Sequence, residues 1–211
     1  MSDDGVSRQY HSDLRAEQAR RTRARILRAC AELFSSDGYQ ATTIAAIARR
    51  ARVSAETVKG AGSKAELLIA SFEVLFALEE GQGSLADSAA GHGVLELPDQ
   101  ALLPAVVDAI VDANARGRRL WTQLLAAAQA DTVVAAALQR MLDNRHADYR
   151  ALVSELVRRG LTGPGVDAGS VAAELSFLLS PEGYQQLVDQ SGWSEQRYRD
   201  WLVTAASRAI A

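Results

Sequence analysis

The sequence predicts an all-α protein in two parts, a three-helix N-terminal unit followed by a larger helical bundle. Three observations lead there. Apolar residues recur at helical spacing in segment after segment, no run alternates as a half-buried strand would, and alanine is abundant while Val/Ile-rich runs are short. With 211 residues and 48% hydrophobic content, the chain can bury a sizeable core.

Residues 1–14 are polar without periodicity and read as a disordered arm. From Arg15 a helix is expected: Ile26, Leu27, Cys30, Leu33 and Phe34 make one apolar stripe, Arg20, Arg21, Arg23, Arg25 and Arg28 lie away from it, and Asp37-Gly38 supplies the stop. Thr42-Thr43 can cap a second, short helix through Ala51. After the break at Arg52-Val53, Ser54 can cap a third that runs to about Ala61. Leu67, Leu68, Phe72, Leu75 and Phe76 mark a fourth helix over about 64–80. The Gly-, Ser- and Asp-rich stretch 81–99 reads as a mobile loop. Further helices are expected near 100–115, 118–129, 131–159, 167–180 and 194–210. The domain division is accordingly 1–14, 15–63 and 64–211.

Charge separates the two parts. Residues 1–64 carry 12 Lys/Arg and 7 Asp/Glu, net +5, whereas residues 65–211 carry 11 and 19, net -8. A basic segment on an acidic body suits a polyanion, because the positive face attracts phosphate while the remainder limits indiscriminate association. Catalytic ingredients are sparse. His11, His92 and His146 have no metal-ligand spacing, there is no Gly-x-Ser-x-Gly, Walker loop or cysteine pair, and no cofactor is expected. Cys30, the one cysteine, sits on the apolar stripe and reads as a small buried hydrophobe. The N-terminus does not read as a signal peptide and no apolar stretch is long enough to span a bilayer, so a cytoplasmic protein without membrane contact is expected.

Helices two and three, joined by a tight turn, describe a helix-turn-helix. Ala48 supplies the small residue where they cross, Val53 and Val58 fill the angle between them, and Ile44 and Ile47 face the first helix. Position 52 falls in the turn, where a glycine would relieve strain if φ is positive, yet the residue is arginine. The pieces Leu33-Phe34…Gly38-Tyr39, Thr42-Thr43-Ile44-Ala45-Ala46-Ile47-Ala48, Val53-Ser54-Ala55-Glu56-Thr57 and Gly62-Ser63-Lys64-Ala65-Glu66-Leu67-Leu68 come in the order and spacing of a known DNA-binding domain. Over Arg23 to Leu68 the chain resembles the TetR (tetracycline-repressor-like) family. Ser180-Pro181-Glu182-Gly183-Tyr184 and Gly192-Trp193-Ser194…Arg197-Tyr198…Trp201-Leu202 are similar to the ends of many such regulators. One departure stands in the third helix: family members carry Tyr-x-x-Phe where this chain has Val58-Lys59-Gly60-Ala61, one residue shorter, so that helix is expected to end early.

The resemblance implies a ligand-responsive regulator, a repressor released from a palindromic double-stranded DNA operator by a small-molecule effector. It places Ala55, Glu56, Lys59 and Gly60 toward bases and Thr43, Ser54, Thr57 and Lys64 on the phosphate backbone. It also implies a homodimer through the last two helices, with Leu175, Leu178, Leu179, Tyr184, Trp201 and Leu202 as candidate interface residues. From the distribution of aromatic and aliphatic residues, Phe72, Phe76, Trp121, Leu124, Leu125, Tyr149 and Phe177 are candidates to line a cavity between helices. Two other readings stay open: a helical interaction protein with a degenerate helix-turn-helix, and a small all-α enzyme.

Overall fold

A computed structural model describes residues 4–81, 86, 88 and 93–211, with side chains described from Leu14 onward. All regular structure among them is helical: α1 (Asp4–Ser36), α2 (Ile44–Ala51), α3 (Ala55–Ala61), α4 (Lys64–Ala77), a single 3-10 turn (Val94–Glu96), α5 (Asp99–Ala127), α6 (Thr132–Arg158), α7 (Ala168–Leu178), α8 (Pro181–Tyr184), which continues as a π turn over Gln185–Gln190, and α9 (Glu195–Ala209).

Caps set most of the boundaries. Thr43, Ser54, Asp131, Asp167, Ser180 and Ser194 each accept a backbone N–H of the helix they precede. Ser63 and Glu66 complete a reciprocal box, with Ser63 N donating to Glu66 Oε2 at 2.8 Å and Glu66 N to Ser63 Oγ at 3.2 Å.

Two cores hold these helices. The first joins Ile26, Cys30, Phe34, Ile47, Val58, Leu67 and Leu68 to Leu120, Leu124 and Val134, so the C-terminal end of α5 and the start of α6 grow out of the same apolar cluster as the first four helices. The second collects Leu102, Val107, Val111, Val153, Leu156, Leu175, Tyr184, Tyr198 and Leu202 from α5 to α9. Cys30 is fully buried, and burial pushes its thiol up to about 12. At pH 8 about one part in ten thousand would then be thiolate, so native protein is expected to resist iodoacetamide and to label once unfolded in guanidinium. Labelling of the native state within minutes would contradict this packing.

Several elements differ from the sequence expectation. Helix α1 begins at Asp4, so residues 4–14 are helical where an arm was expected; residues 1–3 lie outside the described residues. Of the expected loop 81–99, residues 82–85, 87 and 89–92, including His92, lie outside the described residues, and Val94–Glu96 form the 3-10 turn. The helices expected at 100–115 and 118–129 are one, α5, which runs straight through Gly117. A Cβ at position 117 would stand 3.2 Å from Phe72 Cε2 and 3.3 Å from Phe76 Cδ2, so this glycine lets α4 approach α5 rather than breaking the helix. The segment Pro181–Gln190 was not anticipated as helix, although Ser180 as cap and Pro181 in the first turn are a start signal readable in sequence.

Arg52 does adopt the left-handed conformation, φ 55° and ψ 49°. A side chain there costs roughly 1 kcal/mol relative to glycine. Arg52→Gly is therefore expected to stabilise the protein by about 0.5–1 kcal/mol and raise Tm by about 1–4 °C. An unchanged or lower Tm in calorimetry would refute it.

Candidate functional site

The helix-turn-helix is locked from within. Ile47 and Val58 are fully buried and Ala48 nearly so, while Ile44 and Val53 pack against the same core from its edge. The adjacent threonines divide the work. Thr42 is buried and donates to the carbonyls of Gly38 (2.8 Å) and Leu33 (3.3 Å), tying α2 to the end of α1; Thr43 is exposed and caps α2 by accepting from Ala46 N. Arg23 stretches from α1 to donate to Ala61 O at 2.7 Å, the C-terminal end of α3, and pairs with Glu80 through Nε at 2.7 Å. Nothing in the sequence spacing singles out Arg23 among its neighbouring arginines.

Helix α3 turns only Val58 fully inward. Ala55, Glu56, Thr57, Lys59 and Gly60 are exposed, as are Thr43, Ser54, Arg49 and Arg52 around them. Ser54 Oγ accepts from Thr57 N at 3.0 Å and lies 2.8 Å from Thr57 Oγ1, so both hydroxyls are engaged in the local cap. No heavy atom lies within 4 Å of the place a Cβ would take at Gly60, which leaves that surface open to an approaching backbone. Lys64 is half-buried: its ammonium donates to Gln40 O at 3.2 Å and sits 4.4 Å over the Tyr39 ring, and burial lowers its pKa. Among the candidate DNA contacts, Lys59 is a free-standing exposed cation and Lys64 one held in place by an aromatic ring.

A cavity of about 170 Å³ lies between α4, α5 and α6. Phe72, Phe76, Trp121 and Tyr149 line it, together with Val106, Ile110, Met141 and Leu152, and its charged or amide members are Glu73, Asn114, Arg145 and Asp148. Phe72 stacks on Phe76 at 5.2 Å and tilts against Trp121 at 5.6 Å; the Arg145 guanidinium lies 5.7 Å from the Trp121 ring centre. Burial holds the Glu73 carboxyl above its ordinary value despite a hydrogen bond from Gly81 N. Three expected wall residues are elsewhere. Leu124 faces the first core with no exposure, Leu125 packs against that core's edge, and Phe177 projects outward at 79% exposure, because α7 buries Val171, Ala172 and Leu175 instead. Asn114 was missed, although Val107, Val111 and Asn114 follow one another at inward-facing spacing on α5, a readable signal for a buried polar group.

The cavity wall is connected to the helix-turn-helix. Trp121 Nε1 donates to Glu182 at 2.7 Å; two residues on, Gln123 Oε1 accepts from Tyr39 N at 2.8 Å in the α1–α2 connection. Tyr39 donates its hydroxyl to Asp131 at 3.2 Å. Arg116 donates to the carbonyls of Leu75 (2.9 Å) and Phe76 (3.1 Å), satisfying the C-terminal end of α4.

The expected interface residues also divide. Leu175, Leu179, Tyr184 and Leu202 are at most 1% exposed and belong to the protomer's own core, so they have no surface left for a partner; Leu178 is half-buried. Trp201 is 38% exposed.

Residues 26–70, from the apolar stripe of α1 into α4, match the family model for bacterial regulatory proteins of the tetR family. The chain carries a TetR-family DNA-binding domain. Solved structures extend the likeness to the whole fold. A protein from Rhodococcus sp. classed as a TetR-family transcriptional regulator aligns with TM-score 0.65 at 17% identity over 90% of this chain and 98% of its own. A TetR-family counterpart from Mesorhizobium loti MAFF303099 aligns with TM-score 0.59 at 20% identity, over 91% and 96%. A transcriptional regulator from Saccharomonospora viridis, in complex with choline, aligns with TM-score 0.67 at 20% identity, over 85% and 92%. No curated protein matches the chain in sequence. Beyond residues 26–70 these likenesses describe the fold alone, an all-α architecture. Among the described residues no cluster of His, Cys, Asp or Glu forms a metal-binding group, and no helix is long and apolar enough to cross a membrane.

Proposed function

We propose that this chain is a dimeric, ligand-responsive repressor, with residues 15–63 reading a palindromic operator and residues 64–211 holding the effector and the partner subunit. The observation that carries the reading is the reading head itself, a capped α3 that buries Val58 and turns its other polar and small side chains to solvent. The major groove is wide enough for such a helix. Ala55, Glu56, Lys59 and Gly60 would meet base edges, and Thr43, Ser54, Thr57 and Lys64 the phosphates. A seven-residue helix reads few bases, which favours a two-fold pair of heads. The exposed Phe177 and Trp201 on α7 and α9 support pairing there.

Helix α4 gives the effector a route to DNA. It starts at Lys64 beside α3 and ends with Phe72 and Phe76 on the cavity wall, so a guest that repositions those rings moves the helix on which the reading head is seated. Release requires only that the guest bind one head spacing more tightly than the other. The choline complex of the Saccharomonospora viridis protein supports a small-molecule effector in such a bundle.

Genome-wide recovery of bound DNA, followed by salt titration on the recovered fragment, tests the reading. Lys59→Ala is expected to weaken operator binding and to lower the slope of log K against log[salt] by about one unit. Identical binding at every salt concentration would remove Lys59 from the interface. Recovery of no specific fragment would favour an interaction protein with a degenerate helix-turn-helix.

A further inference from the structure

Asn114 is 1% exposed and stands on the cavity wall. Its Nδ2 donates to Leu179 O at 3.0 Å, and its Oδ1 has no hydrogen-bond partner. The amide's orientation is fixed by chemistry, since a carbonyl faces it and only the nitrogen can donate there. An acceptor buried without a donor is costly, and buried polar groups are ordinarily satisfied. A guest whose O–H or N–H reached Oδ1 from the cavity would remove that cost.

Size and charge narrow the guest further. An engineered apolar cavity of about 150 Å³ binds benzene, so about 170 Å³ suits one ring with a small substituent. Asn114, Gly117 and Trp121 follow one another along one face of α5, and seven residues of helix span about 10 Å, enough for a ring lying by Phe72, Phe76 and Trp121 with its substituent at Asn114. The wall carries charges of both signs, Arg145 over the Trp121 ring against Glu73 and Asp148, so an ionic guest meets repulsion as well as attraction and loses its hydration in a mostly apolar cavity. We propose that the cavity selects a neutral one-ring molecule bearing a single hydroxyl or N–H donor, recognised by Asn114 Oδ1. This rests on the cavity being the effector site.

Calorimetric titration of the full chain with phenol, anisole, toluene, benzoate and benzylamine tests the proposal. Phenol is expected to bind about tenfold more tightly than anisole, which has the ring and oxygen but no donor, and more tightly than either charged probe. In Asn114→Leu the phenol-to-toluene affinity ratio is expected to fall about tenfold with toluene still bound, which also shows that the variant folds. Equal binding of phenol and anisole by the unmodified protein, a charged probe that outcompetes phenol, or a ratio unchanged in a toluene-binding Asn114→Leu would each overturn it. The recovered operator fragment separates this from the broader reading. Failure of all five probes, while some other small molecule releases the DNA, overturns the ligand class and leaves the repressor standing. Phenol binding that leaves operator affinity unchanged supports the ligand class and counts against the effector role.

Discussion

Replacing Phe177 and Trp201 together by aspartate is expected to turn the protein into monomers at micromolar concentration and to lower operator affinity at least about a hundredfold. Both side chains lie outside the protomer's core, Phe177 at 79% and Trp201 at 38% exposure, on helices α7 and α9 that pack against each other. In a two-fold interface every substitution occurs twice, so four rings leave apolar contact and four carboxylates enter it. Each ring is worth about 1.5–3 kcal/mol on full burial, and like charges brought together add repulsion. Loss of the second reading head removes the gain from linked half-sites, typically a factor of about 10²–10⁴. Light scattering would read the assembly and anisotropy the operator. Trp201 also stacks on Tyr198 at 6.1 Å and meets Trp193 edge-on at 6.0 Å, so Phe177→Asp alone serves as the gentler variant, with helical circular dichroism unchanged. A dimer that persists in both variants would place the interface elsewhere.

Leu175 and Phe177 are two residues apart on an apolar helix, and spacing alone does not say which one the protomer's own core will claim. Both faces of such a helix are hydrophobic when one packs inward and the other meets a partner. The packing of α6 and α9 against α7, with Tyr198, Leu202 and Ala206 buried on α9, decides that Leu175 and Leu202 are internal and Phe177 and Trp201 are not. The reading head was legible because its determinants are local: Thr43, Ser54 and Ser63 cap the helices that immediately follow, and Ala48, Val53 and Val58 meet across a short turn. The place of Arg52 in the turn was legible for the same reason, whereas its positive φ is set by the backbone there. The links from cavity to reading head, Gln123 to Tyr39 and Arg116 to α4, join residues 84 and 40 or more positions apart. No local pattern encodes them.

Gly117 shows a local signal whose meaning reverses in context, and it yields the second large effect. A glycine inside a helix costs about 1 kcal/mol relative to alanine, which makes position 117 a weak point for a long helix. Its absent side chain instead admits the edges of Phe72 and Phe76, which form one wall of the cavity. Gly117→Leu would place four carbons where those rings now stand. The stacked pair can yield only toward the empty space, so the substitution is expected to fill the cavity with its own phenylalanines. Overpacking of this kind costs about 1–3 kcal/mol, lowering Tm by roughly 2–12 °C in a chain of this length. Binding of any cavity ligand is expected to fall about a hundredfold or more. Operator binding without ligand should change far less, because α2 and α3 keep their caps and their core, and DNA held by the variant should no longer respond to effector. Full retention of the ligand response would mean that the effector acts somewhere other than between α4 and α5.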